Sequence, residues 1–454
     1  MELKSAYELA SERVIASKVK KRKEPEMDDF FVPLDDLKYP EDIQKEKELS
    51  DIKVVSYEKR TFSENMKSLI EVCWSGNFLD YGGFARMNRA MAFGLSDRNV
   101  VVKTEIADYL EHVNEPTKNL LNKMSNNKIS EKAPKIYGAT IPIDFPHNGK
   151  RIYYTMMETA NKVHPEYADK VSMAHEIWVP TEYNKRTLIN SGVKNHIMVM
   201  PLGVDCNRYV DGLEPLKIRN KLKGFVFLSV FRWGFRKGFD ILLRAFMEEF
   251  SSDEDVSLLV ASRPVNKMEE VGNNDIVDDF NTIKGMVDKD EEDMPHIALY
   301  TKPIPEKDMP SLYNSGDAFV LISRGEGMGL PYLEAGSCGL PVIASHCSGH
   351  SDFLTKDTAF LVEPEGYVSH KRTDPPFGNM ARSCRFYEEQ EFPYFGRESI
   401  EETKEHMRFV YENYSEEPYD QVKNLRKLIE RNYTWDKAVD RVYYRLKEIN
   451  EEGE

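Results

Sequence analysis

A chain of 454 residues is too long for one ordinary core and implies two or three domains. Apolar residues make up 41% of it and charged residues 31%, a globular balance that argues against disordered or fibrous architectures. The formal net charge of -15 repels phosphates at range, which argues against nucleic-acid binding by the surface as a whole and leaves only a local basic patch for that purpose.

No apolar run reaches the ~18 to 20 residues of a membrane-spanning helix, and the opening MELKSAYELASERV lacks the apolar core of a secretory signal. A cytoplasmic protein is expected, with a peripheral position on the inner membrane face as the alternative. The five cysteines, at 73, 206, 338, 347 and 384, form no C-x-x-C pair, so reduced thiols are expected rather than a disulfide framework or a zinc site.

Residues 1–65 read as a charged N-terminal extension, with a basic cluster from Lys18 to Lys23 followed by Glu24, Glu26, Asp28 and Asp29. From Lys67 the pattern changes to short apolar runs alternating with helical segments, which predicts an α/β fold with a mainly parallel sheet. Strands are expected at 69–74, 100–103, 152–157, 177–179 and 197–200. Pro201-Leu202-Gly203-Val204-Asp205 breaks the rhythm, and a second series follows at 225–230, 256–261, 297–300, 318–323 and 342–345. Two Rossmann-like doubly wound domains, 66–205 and 206–434, are therefore expected to face each other across a cleft. Ligands of such sheets bind beyond the carboxyl ends of the strands. After Thr373 the pattern turns irregular, and helices rich in Glu, Lys and Arg run from Ser399 onward.

The stretch from Gly316 to Pro341, GDAFVLISRGEGMGLPYLEAGSCGLP, reads as strand, glycine turn and short helix. Gly325, Gly327 and Gly329 permit close backbone approach, Pro331 suits a first helical turn, and Gly339 with Pro341 suits its end. A helix starting here aims its free amides and positive dipole end into the cleft, where a diphosphate can be held. The amides of Gly327, Met328, Gly329 and Leu330 can also reach sugar hydroxyls. Glu334, one turn into the helix, can accept both protons of a ribose diol, and Glu326 can do the same for the transferred sugar.

This stretch resembles the E-x7-E motif of retaining glycosyltransferases with the two-domain GT-B fold, especially glycosyltransferase family 4, and the resemblance runs from roughly Cys73 to Trp435. It implies that Arg232 and Lys237, in SVFRWGFRKG, hold the donor diphosphate and stabilise charge on the leaving group. It makes Gly82 and Gly83 part of a loop closing over the diphosphate. The segments WVPTEY from Trp178 and PLGVD from Pro201 mark the domain hinge. Where many relatives carry a histidine, this chain has Met156-Met157-Glu158-Thr159, which makes Glu158 a candidate contact to acceptor or sugar, or else a strand-end cap. The donor base is expected near Lys302 to Ile304, held largely by main chain. The C-terminal helix, 435–454, is expected to cross back to the N-terminal domain.

The activity so implied is retaining transfer of a hexose from a nucleotide diphosphate sugar, UDP-glucose or a related UDP-sugar being favoured over a GDP-sugar, to a hydroxyl acceptor. The cations stand in for a metal, so none is expected. The acceptor is a glycan, a lipid or, through the basic arm, a nucleic-acid base. Two other classes compete: a sugar phosphorylase or epimerase, and a non-catalytic nucleotide-binding module.

Overall fold

The computed structural model describes residues 69–107, 113–140, 143, 147–263, 273–369, 371, 384–414 and 419–452. The charged extension, with the Lys18 to Lys23 cluster, lies outside the described residues, as do Pro375 and Pro376.

The first sheet holds β1 (Glu71–Gly76), β2 (Val101–Ile106), β3 (Lys135–Gly138), β4 (Arg151–Tyr154), β5 (Glu176–Val179) and β6 (His196–Val199), all parallel, in the order β2-β1-β3-β4-β5-β6. The second holds β7 (Phe225–Arg232), β8 (Val256–Arg263), β9 (His296–Tyr300), β10 (Ala318–Leu321), β11 (Val342–Ser345) and β12 (Phe360–Val362), also parallel, in the order β12-β11-β10-β7-β8-β9. Parallel strands need crossovers, and helices supply them. In the first half these are α1 (Gly83–Asp97), α2 (Glu115–Ser125), α3 (Pro165–Val171) and α4 (Glu182–Asn190). In the second they are α5 (Phe239–Glu249), α6 (Asn273–Lys284), α7 (Met309–Tyr313) and α8 (Leu330–Ser337), and α9 (Arg397–Glu412), α10 (Asp420–Asn432) and α11 (Trp435–Glu452) close the chain.

Strands β5, β10 and β11 are buried along their whole length, which is why they are nearly continuous apolar runs, whereas β2 alternates between buried and partly buried residues. Val226, Phe227, Leu228, Phe319, Val320 and Leu321 are fully buried at the centre of the second sheet. Two strands give little signal in the sequence. β3 is four residues, Lys-Ile-Tyr-Gly, of which two are only partly buried, yet it sits between β1 and β4. β12 has three residues on an edge. The small antiparallel pair β13 (Gly366–Ser369) and β14 (Glu391–Tyr394) is likewise absent from the sequence reading.

The chain passes between the sheets twice, and the two passages pair. Val204 N–H donates to Tyr433 O at 2.9 Å and Trp435 N–H to Val204 O at 3.3 Å. From there α11 lies against α1, held by Arg98 to Asp440 at 2.8 Å. It also reaches β5, where the Arg445 guanidinium forks onto buried Glu176 at 2.8 and 3.0 Å. The last helix therefore packs on the first sheet's layer, although it follows the second in sequence.

Candidate donor site in the cleft between the sheets

The loop after β10 is anchored before it reaches the cleft. Arg324 turns inward and makes two 2.7 Å hydrogen bonds to Asp240 on α5, its guanidinium lying 3.8 Å from the Phe235 ring centroid. That ties the loop to the 3-10 turn Phe235–Lys237, which follows β7. Lys237 and Arg236 on this turn are thereby held beside Glu326.

Glu326 is buried. One of its oxygens takes the Lys237 ammonium at 2.5 Å, accepts from the Ser323 hydroxyl at 2.7 Å and lies 3.8 Å from the Arg236 guanidinium. Burial alone raises this carboxyl, but the charges of Lys237 and Arg236 outweigh burial and hold it at about 2. Burial also pulls the Lys237 ammonium below its ordinary value, and Glu326 offsets part of that. The pair is charged at neutral pH because the carboxylate has a second cation and a hydroxyl donor. Arg236 donates to Gly325 O as well, which fixes the loop backbone.

Beyond Glu326 the loop runs into α8 through Gly329, whose φ of +91° favours glycine. Pro331 offers no N–H, and the amides of Met328, Gly329 and Leu330 have no hydrogen-bond acceptor among the described residues. Three donors are therefore left unbonded at a helix start of the kind that binds anions. One turn into α8, Glu334 is 1% exposed; one oxygen accepts from the Tyr313 hydroxyl at 2.6 Å and the other pairs with Arg86. Arg86 belongs to α1, so this ion pair crosses the cleft.

Residues of the first sheet's layer close the other side. Gly82 precedes α1 and donates its N–H to the Asp80 carboxylate, while Arg89 donates to the carbonyls of Phe78 and Asp80 at 2.6 and 2.8 Å. The glycine loop is thereby shaped so that a Cβ on Gly83 would sit 3.9 Å from the Leu330 side chain. Arg89 also reaches Glu306 at 3.0 Å, just past Ile304, which is buried after β9. The hinge segment does more than mark the boundary. The Thr181 hydroxyl and the Asn184 amide donate to Gly327 O at 3.2 and 3.1 Å, and Leu202 N–H points at Met328 Sδ at 3.1 Å.

Glu158 follows β4 and meets the same cluster. One oxygen is 3.6 Å from the Arg236 guanidinium, and the other accepts from the Tyr387 hydroxyl. Tyr387 comes from a strap, 384–394, that lies along the first sheet's layer. Ala160 N–H donates to Glu391 O at 2.8 Å, Arg385 pairs with Glu166 at 2.7 Å, and Phe386 packs on Tyr167.

The structure thus gathers Glu326, Lys237, Glu158, Gly327, Met328, Gly329, Leu330 and Glu334 at one cleft, faced by Gly82 and Gly83. Arg232 ends β7 with an exposed side chain, and the second cation at Glu326 is Arg236. The 3-10 turn, invisible in a short basic run, turns Arg236 toward Glu326. Glu334 is occupied by protein partners on both oxygens. Arg86, Arg236 and Tyr387 carry no motif of their own, and Tyr387 lies 229 positions from Glu158. The two histidines near Glu158 are structural: His164 caps α3, and His175 accepts from Arg151 N–H at 2.9 Å. All five cysteines are free thiols. No described helix is long and apolar enough to cross a membrane.

Residues 223–370 match the family described as glycosyl transferases, group 1. The chain is 27% identical over 158 residues to the mannosylfructose-phosphate synthase of Agrobacterium fabrum, covering 34% of this chain and 33% of that protein. It is 39% identical over 83 residues to the sulfoquinovosyl transferase SQD2 of Arabidopsis thaliana, covering 17% and 16% respectively. The matched stretches thus span a third or less of these curated relatives. Among solved structures, Anabaena HepE in complex with UDP and glucose superposes with a TM-score of 0.58 at 13% identity, over 84% of this chain and 100% of that one. The sucrose-phosphate synthase of Thermosynechococcus elongatus gives 0.56 at 13%, over 84% and 98%. The expected GT-B arrangement of two facing sheets is therefore the observed fold.

Proposed function

We propose that this chain, whose residues 223–370 carry the group 1 glycosyltransferase pattern, transfers a hexose from a nucleotide diphosphate sugar to a hydroxyl acceptor with retention of configuration. The observation that carries the reading is buried Glu326, ionised between Lys237 and Arg236 at the mouth of a loop that presents three unbonded amides. A carboxylate fixed by two cations beside a helix start suits a neutral polyol attached to a dianionic leaving group. Glu326 accepts from sugar hydroxyls, the diphosphate takes the amides and shares the cations, and a ribose diol joins or displaces Arg86 on Glu334.

In the reaction the bond from the anomeric carbon to the diphosphate oxygen breaks, and the acceptor oxygen bonds to that carbon from the same face. The acceptor proton passes to the departing phosphate oxygen. Lys237 and Arg236 stabilise the charge that develops there, so Glu326 has no proton to move and remains ionised. The UDP of the HepE complex favours a UDP-sugar as the first donor to try. Glu158, held by Tyr387 and Arg236 on the opposite wall, is the group nearest the incoming acceptor in this reading.

The test is a thermal-shift panel of UDP-, GDP- and ADP-sugars, followed by nucleotide release and the anomeric configuration of the product. Stabilisation by one nucleotide sugar, with turnover lost in Glu326→Gln while that variant still unfolds in one cooperative transition above the assay temperature, supports the assignment. Full turnover in Glu326→Gln, or an inverted product, refutes it.

A further inference from the structure

A second cavity, of about 440 Å³, lies behind the donor loop, within the size range of small-molecule sites. Its walls come from three separate parts of the chain: Arg186 on α4 of the first layer, Arg441 on the crossing helix α11, and Asp352 with Phe353 after β11 of the second sheet. Met328 forms a further wall, so this space and the donor site share the loop 327–329.

The charges around it are unevenly satisfied. Asp352 is committed, since its carboxylate accepts Glu182 N–H at 2.5 Å and caps α4. Neither Arg186 nor Arg441 has a hydrogen bond or ion pair among the described residues, whereas one turn along α11 Arg445 is forked onto Glu176 and flanked by Glu448 and Glu452. Two guanidinium groups without a direct ion pair thus border one concave space, together with the carboxylates of Asp352, which is spent on the α4 start, and of exposed Glu182. Beside them the rings of Phe353 and Tyr433, 5.5 Å apart and inclined at 49°, supply an apolar wall.

We infer that this cavity is a binding site for a small phosphomonoester, whose dianionic phosphate is gripped by Arg186 and Arg441 while its carbon skeleton lies on Phe353 and Tyr433. Paired guanidinium groups are the side chains best matched to a phosphate, since each can offer two parallel N–H donors. The site differs from the donor pocket in position and in its cations: Glu326, Lys237, Arg236 and Glu334 are not part of its lining. Because its walls belong to both sheets' layers and to α11, it is complete only when the cleft is closed. A ligand there favours the closed arrangement and, by linkage, tightens donor binding.

The experiment uses the full chain saturated with UDP, so that the donor diphosphate site is occupied, and titrates glycerol 3-phosphate by calorimetry and thermal shift, with sodium sulfate at equal ionic strength as control. Saturable binding and a rise in Tm that sulfate does not reproduce are expected. Binding should weaken about tenfold or more in Arg186→Gln and Arg441→Gln, each having lost a charge-assisted contact, while UDP affinity without glycerol 3-phosphate stays unchanged. An equal response from sulfate, binding that UDP abolishes, equal binding in the double variant, or no binding at all overturns the inference. The readout is binding rather than turnover, so it stands or falls separately from the proposed transferase activity.

Discussion

Replacing Lys237 by methionine isolates the electrostatic core of the site. In the native fold Glu326 is buried with its carboxyl at about 2, against an ordinary 4.5, a difference equivalent to about 3 kcal/mol. The sign follows from the depressed value: this contribution is present above pH 4.5 and is lost as the pH falls through about 2. The desolvated Lys237 ammonium opposes it, so the intact pair contributes less than that figure, while removal of one partner strands a buried charge at about 3 kcal/mol or more. Arg236, 3.8 Å away, stays to soften the loss. Without Lys237, burial raises the Glu326 carboxyl, and the variant's fold then gains stability by taking up a proton as the pH drops. Urea melts from pH 5 to 8 should therefore show a deficit of about 3 kcal/mol at pH 8 that shrinks toward pH 5. Nucleotide release should fall about a hundredfold to a thousandfold, the usual loss for one transition-state donor. The double variant Lys237→Met, Glu326→Gln should recover much of the stability and none of the turnover. A deficit independent of pH over this range, or turnover within a few-fold of the parent, refutes the reasoning.

Gly325→Ala places a Cβ 2.3 Å from Glu158 O across the cleft, so solution scattering should show a wider molecule and turnover should fall, while far-ultraviolet dichroism is unchanged. Tyr387→Phe removes the hydroxyl on Glu158 and should lower stability by about 1.5 to 3 kcal/mol in denaturant melts. If the strap also shapes the acceptor side, the acceptor KM should rise more than the donor KM. Glu176 is held at about 2 because its bonds from Arg445, Trp178 and Lys150 outweigh burial, so its share of stability is present above pH 4.5 and declines toward pH 2. Arg445→Met should remove about 3 kcal/mol at pH 7, with the gap narrowing on acidification, as read from melts at pH 4 and 7.

Periodicity and punctuation in the sequence were enough for the two parallel sheets, since strands buried on both faces must be continuous apolar runs and their crossovers must be helical. They also sufficed for the turn at Gly325 to Gly329 and for both glutamates, because a helix start after a buried strand is a local event. β3 escaped because a strand of Lys, Ile, Tyr and Gly owes its place to its neighbours rather than to its own composition. Only the tertiary structure put Arg236 beside Glu326, because the 3-10 turn after β7 folds that side chain back against the loop after β10. Only it brought Arg86 to Glu334 and Tyr387 to Glu158, contacts spanning 248 and 229 positions. Such contacts form where two layers meet, and hydrophobic pattern specifies each layer without recording how its surface is met by the other.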